Sequence, residues 1–449
     1  MVGMAGEETR TVDTRTSMPS TERGASTVAR TDETPRTRAW ATRLVVVGIV
    51  LAALNLRPAI TSFGALLEEV RDGLGMSGSV AGLLTSVPPL CFAVFGVTAP
   101  RLARRFGPAA VVCAGMVAIA AGLLIRPYAG GAAGFLAASA LALMGIAVSN
   151  VLMPVIVKRW FPDRVGSMTG LYSMALALGT SAAAALTVPV THALGGGWRP
   201  GLAVWAGLAA AAVLPWLPLV RRRGAAPEPA PSPEPGNPAA VPANPAGERR
   251  QAPLRITRSR TAWALAVFFG LQATAAYITM GWMAQIFRDA GVPAGTAGIL
   301  LAVTMVMGVP LAFVIPRVAT RLPHQGPIVL VLGACGLAGY AGLYFAPAAG
   351  AWAWAVLLGI SNCAFPLALT MVGMRARTGP GVGQLSAFAQ STGYLISIPG
   401  PLLVGVLYQH SGGWGLPIAL MAALMLPQMV VGFLAGRDRV VEDEAAATR

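Results

Sequence analysis

The most informative polar group in the sequence is Arg57, which lies with Asn55 and Pro58 inside the otherwise apolar segment 44–67. Arginine keeps its proton in proteins, and at the centre of a membrane helix it costs at least roughly 2.5–3.5 kcal/mol. Such residues therefore face a partner or a water-filled cavity. Because Pro58 removes a helical hydrogen bond and bends the chain, we expect a cavity wall and an anionic or strongly dipolar ligand. The alternative is a side chain that extends to the lipid headgroups.

Acidic residues are missing from the apolar segments, and the first ones after segment 44–67 are Glu68 and Glu69. Arg57 thus has no fixed counter-ion within these segments, which favours a mobile anion as its partner. The same pattern weighs against a proton-driven exporter of cationic drugs, which is expected to bury a carboxylate. Glu68 and Glu69 remain candidates for a gate that swings towards Arg57.

Several uncharged polar side chains also fall within apolar segments. Asn150 and Asn362 stand in matching Ser-Asn-x-x-x-Pro motifs, which suit either a paired ligand site or a structural hinge. Interhelical hydrogen bonds by amide and hydroxyl side chains are common in membranes, so each residue has a packing role as its alternative. The candidates for hydrogen bonding to a ligand are Asn55, Asn150, Gln272, Tyr277, Asn362, Gln390 and Tyr394.

Patterns typical of enzymes are missing from the sequence. The three histidines, His192, His324 and His410, fall in predicted loops without the spacing of a metal site or a catalytic triad. The chain also lacks a glycine-rich phosphate loop ending in Lys-Ser or Lys-Thr. We therefore expect neither catalysis nor ATP-driven activity, no metal and no cofactor.

The composition indicates a polytopic membrane protein. Of the 449 residues, 55% are hydrophobic and only 11% are charged, and the mean hydropathy is +0.64. An average soluble domain has roughly 25% charged residues. The net charge of +15 rests almost wholly on arginine, with Lys158 as the single lysine. These basic residues form no stripe with interleaved aromatics, so we expect no nucleic-acid partner. The expected partners are membrane lipid and a small molecule, and we expect a monomer.

The apolar segments divide into two sets of six. We expect transmembrane helices at 44–67, 80–100, 109–125, 135–157, 165–190 and 201–220, then at 262–287, 296–315, 328–345, 352–374, 382–408 and 416–434. The predicted organisation is a disordered tail (1–38), a six-helix bundle (39–220), a Pro/Ala/Glu-rich linker (221–260), a second bundle (261–436) and a C-terminal tail (437–449).

Basic residues concentrate in alternate loops, which predicts the orientation. The richer loops hold Arg101, Arg104, Arg105, Lys158, Arg159, Arg164, Arg317, Arg321, Arg375 and Arg377. The opposite loops hold Arg71, Arg126, Arg199 and Arg288. By the positive-inside rule, both tails and the linker are expected in the cytoplasm of a cell-membrane protein.

The two halves repeat each other in sequence. Three motifs recur in the same order: Arg71-Asp72 as Arg288-Asp289, Pro100-Arg101 as Pro316-Arg317, and Ser149-Asn150 as Ser361-Asn362. Because six spans return the chain to its starting side, the halves are related by an axis along the membrane normal. This all-α architecture of twelve helices in two parallel repeats is that of the major facilitator superfamily, whose substrate site lies between the halves near mid-membrane.

The motif Asn55-Leu56-Arg57-Pro58-Ala59-Ile60-Thr61-Ser62 resembles the signature of the cyanate and 2-nitroimidazole transporter family within that superfamily. The segments 81–88, 100–107 and 198–205 are similar to the same family, and the resemblance covers roughly residues 44–437. It implies movement of small anions or small nitro-heterocycles, which suits an arginine in the cavity.

Arg101, Arg104 and Arg105 lie between spans two and three, where superfamily members carry a basic loop that is thought to latch the cytoplasmic side. The acidic residue of the usual motif is absent here. The loop is therefore either a degenerate gate or a plain positive-inside anchor.

These observations favour a secondary transporter for a small anionic or polar solute. A multidrug exporter is the first alternative, although Gly170 and Gly179 lack the Gly-Pro continuation of an antiporter motif. A non-transporting membrane sensor is the second, and deletion of linker residues 224–248 distinguishes it, since a tether is dispensable for transport.

Overall fold

The computed structural model describes residues 35–221 and 256–447. Most of the predicted N-terminal tail (1–38) and most of the predicted linker (221–260) lie outside the described residues. We call the side where the first half ends at Arg221 and the second begins at Arg260 the linker face, and the opposite side the far face.

Every regular element in the described ranges is helical. The helices of the first half are α1 (Pro35–Asn55), α2 (Pro58–Ala65), α3 (Leu67–Leu74), α4 (Gly78–Phe106), α5 (Pro108–Ile125), α6 (Ala132–Trp160), α7 (Val165–Ala193), α8 (Trp198–Ala203), α9 (Trp205–Val213) and α10 (Trp216–Arg221). Short 3₁₀ turns occupy Arg126–Tyr128, Pro162–Arg164 and Ile256–Arg258.

The second half repeats this plan. Its helices are α11 (Arg260–Asp289), α12 (Ala294–Val306), α13 (Gly308–Arg321), α14 (Gly326–Phe345), α15 (Ala351–Asn362), α16 (Ala364–Met374), α17 (Gly379–Ser397), α18 (Pro399–Ser411) and α19 (Gly415–Ala435), followed by the short α20 (Val441–Ala447).

The predicted fold class is confirmed. Eleven helical stretches in the described ranges are long and apolar enough to cross a membrane. The remaining predicted span, 201–220, is divided among α8, α9 and α10. Pro215 accounts for the break before α10, because it has no amide hydrogen to continue the helical ladder.

Glycines allow the helices of the two halves to pack backbone to backbone. A β-carbon on Gly64 of α2 would clash with the carbonyl oxygen of Met280 in α11, and one on Gly82 of α4 would lie 2.9 Å from that of Leu402 in α18. Lipid is as apolar as the helix surfaces, so close packing of small residues is a main source of helix association in membranes. These contacts lie in the half of the bundle nearer the far face.

Arg375 departs from the simple expectation of a basic loop residue. Its side chain is 2% exposed, and its guanidinium donates to the carbonyl oxygens of Ala435 and Gly436 at 3.1 and 2.8 Å and to Gln325 Oε1. Asp438 lies 3.4 Å from the same group. This arginine ties the linker-face ends of α14, α16 and α19 together.

The C-terminal residues 437–447 are ordered around the short helix α20, which the sequence did not indicate. Glu444 accepts hydrogen bonds from Ser259 Oγ at 2.6 Å, Thr261 Oγ1 at 2.7 Å and Thr261 N at 3.1 Å, at the start of α11. Glu442 accepts from Arg377 N and Thr378 N, at 3.0 and 3.2 Å, at the start of α17. Carboxylates are favourable at helix N-termini because free N–H groups and the helix dipole meet there. The helix α20 thus caps two transmembrane helices.

We expect Glu444→Gln to lower the stability of the second half by about 1–3 kcal/mol, since hydrogen bonds to a charged acceptor are worth that much when their donors are buried. The thermal unfolding temperature of the purified protein measures the effect. Asp443→Asn is the matched control, because the Arg377–Asp443 ion pair is exposed and such pairs contribute little. Equal losses in both variants would contradict the capping role.

Acidification should release α20 as well. Burial by itself would raise the pKa of Glu442 and Glu444, but their hydrogen bonds outweigh burial and hold each pKa below the ordinary value of 4.5. A lowered folded-state pKa stabilises the protein above the ordinary value, and this contribution is lost as the pH falls through the folded-state pKa. Proteolysis after residue 437 should therefore accelerate below about pH 4, and Glu442→Gln/Glu444→Gln should cleave fast at pH 7 already.

Candidate functional site

Arg57 lies at the break between α1 and α2. The helix α1 ends at Asn55, and Pro58 is the first residue of α2, a position where its missing amide hydrogen costs nothing. Arg57 itself has non-helical backbone angles, φ −127° and ψ −26°, and its carbonyl oxygen accepts from Ile60 N, Thr61 N and Thr61 Oγ1. The bend predicted from Pro58 is therefore present, and it turns the Arg57 side chain out of the regular helix.

The Arg57 guanidinium lies beside the ring of Tyr277. Its central carbon is 6.0 Å from the centroid of that ring, and the phenols of Tyr172 and Tyr394 lie within range of its charge. Tyr277 is 2% exposed, and its hydroxyl, which lies beside this guanidinium, makes no hydrogen bond of normal geometry to a described residue. Within residues 35–221 and 256–447, no carboxylate pairs with Arg57. A half-buried cation beside an unused phenol suits an anion or a hydrogen-bond acceptor.

Tyr394 joins the two halves beside this cation. Its ring stacks on Phe92 of α4, with centroids 5.0 Å apart, and meets Phe269 of α11 edge to face at 5.2 Å. Such pairs add about 0.5–1.5 kcal/mol beyond the burial of area. The sequence indicated both Tyr277 and Tyr394 as site residues. The structure places Tyr277 against Arg57, and Tyr394 lies within range of its charge without a described contact to it.

Tyr172 is the residue that sequence reasoning missed. It lies in α7, and its hydroxyl donates to Oδ1 of Asn150 in α6. The chain has only seven tyrosines, so a tyrosine within an apolar span was an available signal. Through this bond Asn150 reaches the Arg57 region indirectly.

Gln272 and Asn362 form a second polar group within the second half. Gln272 Nε2 donates to Asn362 Oδ1 at 3.1 Å, and its Oε1 accepts from Gln428 Nε2 at 2.7 Å. The hydrogen bonds described for these side chains join one helix to another, which is the packing alternative given above for polar groups in membrane spans. Asn362 also ends α15, so its Ser-Asn-x-x-x-Pro motif breaks a helix, whereas α6 runs unbroken through the matching motif at Asn150.

The other two candidates bond away from Arg57. Asn55 Nδ2 donates to the carbonyl oxygens of Leu51 and Leu208 at 2.7 and 3.2 Å, linking α1 to α9, while its Oδ1 is buried without a partner. Gln390 donates to Ser386 one turn earlier in α17, at 2.7 Å. Neither has a described bond to Arg57.

Ion pairs connect the halves at the far face. Arg288, at the end of α11, lies 2.8 Å from Glu68 and 2.9 Å from Glu69 in α3. Its repeat counterpart Arg71 crosses in the other direction and stands over the ring of Tyr408 at 5.6 Å. Glu68 and Glu69 are thus held by Arg288 in this conformation, and not by Arg57.

Further into the bundle from the far face, Trp282 adds another contact between the two halves. It is fully buried, donates to Thr85 Oγ1 at 3.3 Å, and packs against Trp414 with centroids 5.8 Å apart. Together with the glycine contacts, these groups seal the space between the halves on this side.

At the linker face, the end of α4 carries three arginines. Arg101, Arg104 and Arg105 are exposed there, and Arg105 stands over the adjacent Phe106 ring at 5.3 Å. A β-carbon on Gly170 of α7 would lie 3.6 Å from Phe313 of α13, an ordinary contact in contrast with the far-face glycines. This described contact between the halves is thus wider than those near the far face.

Comparison with protein families agrees with this architecture. Residues 45–376 match the family model of the Major Facilitator Superfamily. An uncharacterized transporter of Bacillus subtilis, YycB, is 33% identical over 88% of this chain and 94% of its own length. The 2-nitroimidazole transporter of Escherichia coli is 31% identical over 89% and 96%, and the cyanate transport protein CynX of Escherichia coli is 29% identical over 85% and 94%.

Solved structures show the same fold at low identity. The nucleoside transporter NupG superposes with a TM-score of 0.66 at 14% identity over 88% of this chain and 98% of its own. A D-xylose-proton symporter superposes with a TM-score of 0.64 at 12% identity over 88% and 96%. The chain therefore belongs to the major facilitator superfamily, with the cyanate and 2-nitroimidazole transporters, as a multi-pass membrane transporter of small solutes.

Proposed function

We propose that this protein moves a small anionic or strongly polar solute, such as cyanate or a nitro-heterocycle, across the cell membrane by alternating access. The observation that supports this most directly is the Arg57 guanidinium beside the unused hydroxyl of Tyr277, with no described carboxylate paired to it. Both termini lie in the cytoplasm in this proposal, so the far face is the outer one.

The chemistry of Arg57 suits these solutes. A guanidinium presents a planar fork of N–H donors, which fits the two oxygens of a nitro group and the negative end groups of a small linear anion. Tyr277 supplies a neutral donor at the same place. Two relatives are named for cyanate and 2-nitroimidazole, and those names motivate the choice of test solutes.

Binding of a mobile anion to Arg57 also accounts for the alternation between open and closed conformations of the site. Before the solute arrives, Arg57 is an unpaired charge that needs water, which favours an open cavity. A bound anion neutralises it, so the halves can close over the site at lower cost. Arg288 with Glu68 and Glu69 acts as the outer gate, and Arg101, Arg104 and Arg105 remain the candidate inner gate.

We expect Arg57→Gln to weaken solute binding by roughly 10- to 100-fold, the equivalent of losing hydrogen bonds to a charged group. Arg57→Lys should be intermediate, because it keeps the charge and loses the planar fork. Uptake of cyanate, nitrite and a nitroimidazole into vesicles with matched protein amounts measures both.

Arg317→Gln is the matched control for this experiment. Its guanidinium is exposed and donates to Phe313 O of its own helix at 3.0 Å, so transport should stay at the wild-type level. Wild-type uptake in both Arg57 variants would remove this residue from the site. Loss of nitroimidazole uptake with unchanged uptake of cyanate and nitrite would show that Arg57 binds the neutral solute and not the anions.

The gate gives a second prediction. Arg288→Gln removes both inter-half ion pairs, so the outward-open conformation should become more populated. An Ala284→Cys probe, buried one turn before Arg288 in α11, should then react faster with a membrane-impermeant maleimide added outside. Arg199→Gln is the control at the same face, since the described hydrogen bond of Arg199 stays within the first half, to Pro127 O at 3.2 Å. Unchanged labelling in Arg288→Gln would contradict the gate.

A further inference from the structure

A second interior arginine lies in the first half, at the far-face end of α5. Arg126 is 3% exposed, and its guanidinium donates to Ala59 O at 2.8 Å and to Ser62 Oγ at 3.2 Å on α2. Its central carbon stands 5.8 Å from the ring centroid of Phe135, which is fully buried. The side chain is thus enclosed by protein.

The charge of Arg126 is not neutralised by these contacts. A carbonyl and a hydroxyl supply partial charges only, and no acidic residue in the described ranges forms an ion pair with this group. Its Nε atom is buried and has no hydrogen-bond partner within the described part of the chain. Burying an unpaired charge is strongly unfavourable, so the site calls for an anion.

A cavity adjoins this group. It lies between α2, α4 and α6, has a volume of about 20 Å³, and is lined by Arg126, Ser139, Phe63, Thr85 and Leu143 among others. One probe sphere of roughly 10–15 Å³ is enough for a water molecule. Ser139 is 3% exposed, and its hydroxyl is buried without a hydrogen-bond partner.

We propose that this cavity is a second anion site, which binds one small monovalent anion, a halide or a linear pseudohalide, through Arg126 and the Ser139 hydroxyl. The Arg126 guanidinium, whose buried Nε has no described partner, and the buried Ser139 hydroxyl line the same small space, and an anion can accept a hydrogen bond from each. The other lining residues are apolar except Thr85, which disfavours a multiply charged ligand, and the volume of about 20 Å³ limits the ligand to a small one.

The position of the site relates it to Arg57 without depending on it. Arg126 binds α2 at residues two and five positions beyond Arg57, which is roughly 3–8 Å further along that helix towards the far face. Arg57 thus lies at the start of α2, and Arg126 binds further along the same helix. Two kinds of ligand fit this site, a permanently bound ion such as chloride and the transported anion itself, because both are small anions that accept hydrogen bonds.

The test uses the full-length protein in lipid nanodiscs with chloride replaced by gluconate at constant ionic strength. Chloride or azide is then titrated while the unfolding temperature is recorded, because a ligand that binds the folded state raises it. Azide stands for a linear anion of the cyanate type, since it is isoelectronic with cyanate and does not carbamylate amines.

Substitutions at Ser139 locate the response. Ser139→Ala should shift the midpoint of the titration roughly 3- to 10-fold to higher anion concentration, the value of one hydrogen bond. Ser139→Val should abolish the response by filling the cavity. Ser149→Ala is the matched control, because Ser149 lies on the same helix with a buried, unpartnered hydroxyl and does not line this cavity.

The outcomes separate this site from Arg57. A chloride response that survives Arg57→Gln and is lost in Ser139→Val supports a resident halide, and the same pattern with azide alone supports a station for the transported anion. A wild-type response in Ser139→Val, a response lost in Arg57→Gln, or no response to either anion would overturn the proposal.

Discussion

An arginine inside a membrane protein cannot discard its charge, so the surroundings must compensate it, and this constraint organises the interior of the present structure. Arg375 is compensated by helix-end carbonyls and a nearby carboxylate, and Arg288 by two glutamates of the opposite half. Arg126 has a carbonyl and a hydroxyl, and Arg57 has aromatic rings. The charge is thus most fully compensated at Arg375, which joins helix ends, and next at Arg288, in the proposed gate. It is least compensated at Arg126 and Arg57, which therefore need a ligand.

The internal repeat shows how one motif takes different roles. Arg71 and Arg288 occupy matching positions and both reach across the far face, yet one meets the ring of Tyr408 and the other meets Glu68 and Glu69. The helices α2 and α11 approach at Gly64 closely enough to hold these side chains in register. The repeat places Arg71 and Arg288 at matching positions. The residues opposite each arginine decide whether it stacks on a ring or forms an ion pair that can break.

Much of the site follows from local chemistry. The helix breaks at Arg57, as the missing amide hydrogen of Pro58 requires. Tyr277, which the sequence indicated as a polar group at span depth, lies 6.0 Å from the cation. Gln272 and Asn362 instead bind each other, a choice that depends on which helices are neighbours. The capping of α11 and α17 by the C-terminal helix was equally hidden, because Glu444 and Ser259 are far apart in the sequence.

The sequence by itself determined the membrane class, the twelve apolar spans, the repeat and the uncompensated charge of Arg57, since hydropathy, proline geometry and permanent charge are properties of single residues and short segments. Only the tertiary structure decided which charges are paired, because pairing depends on atoms within a few ångströms that come from distant positions. In this way Glu68 and Glu69 became partners of Arg288, and Arg126, one loop arginine among several in the sequence, became a buried cation beside a small cavity.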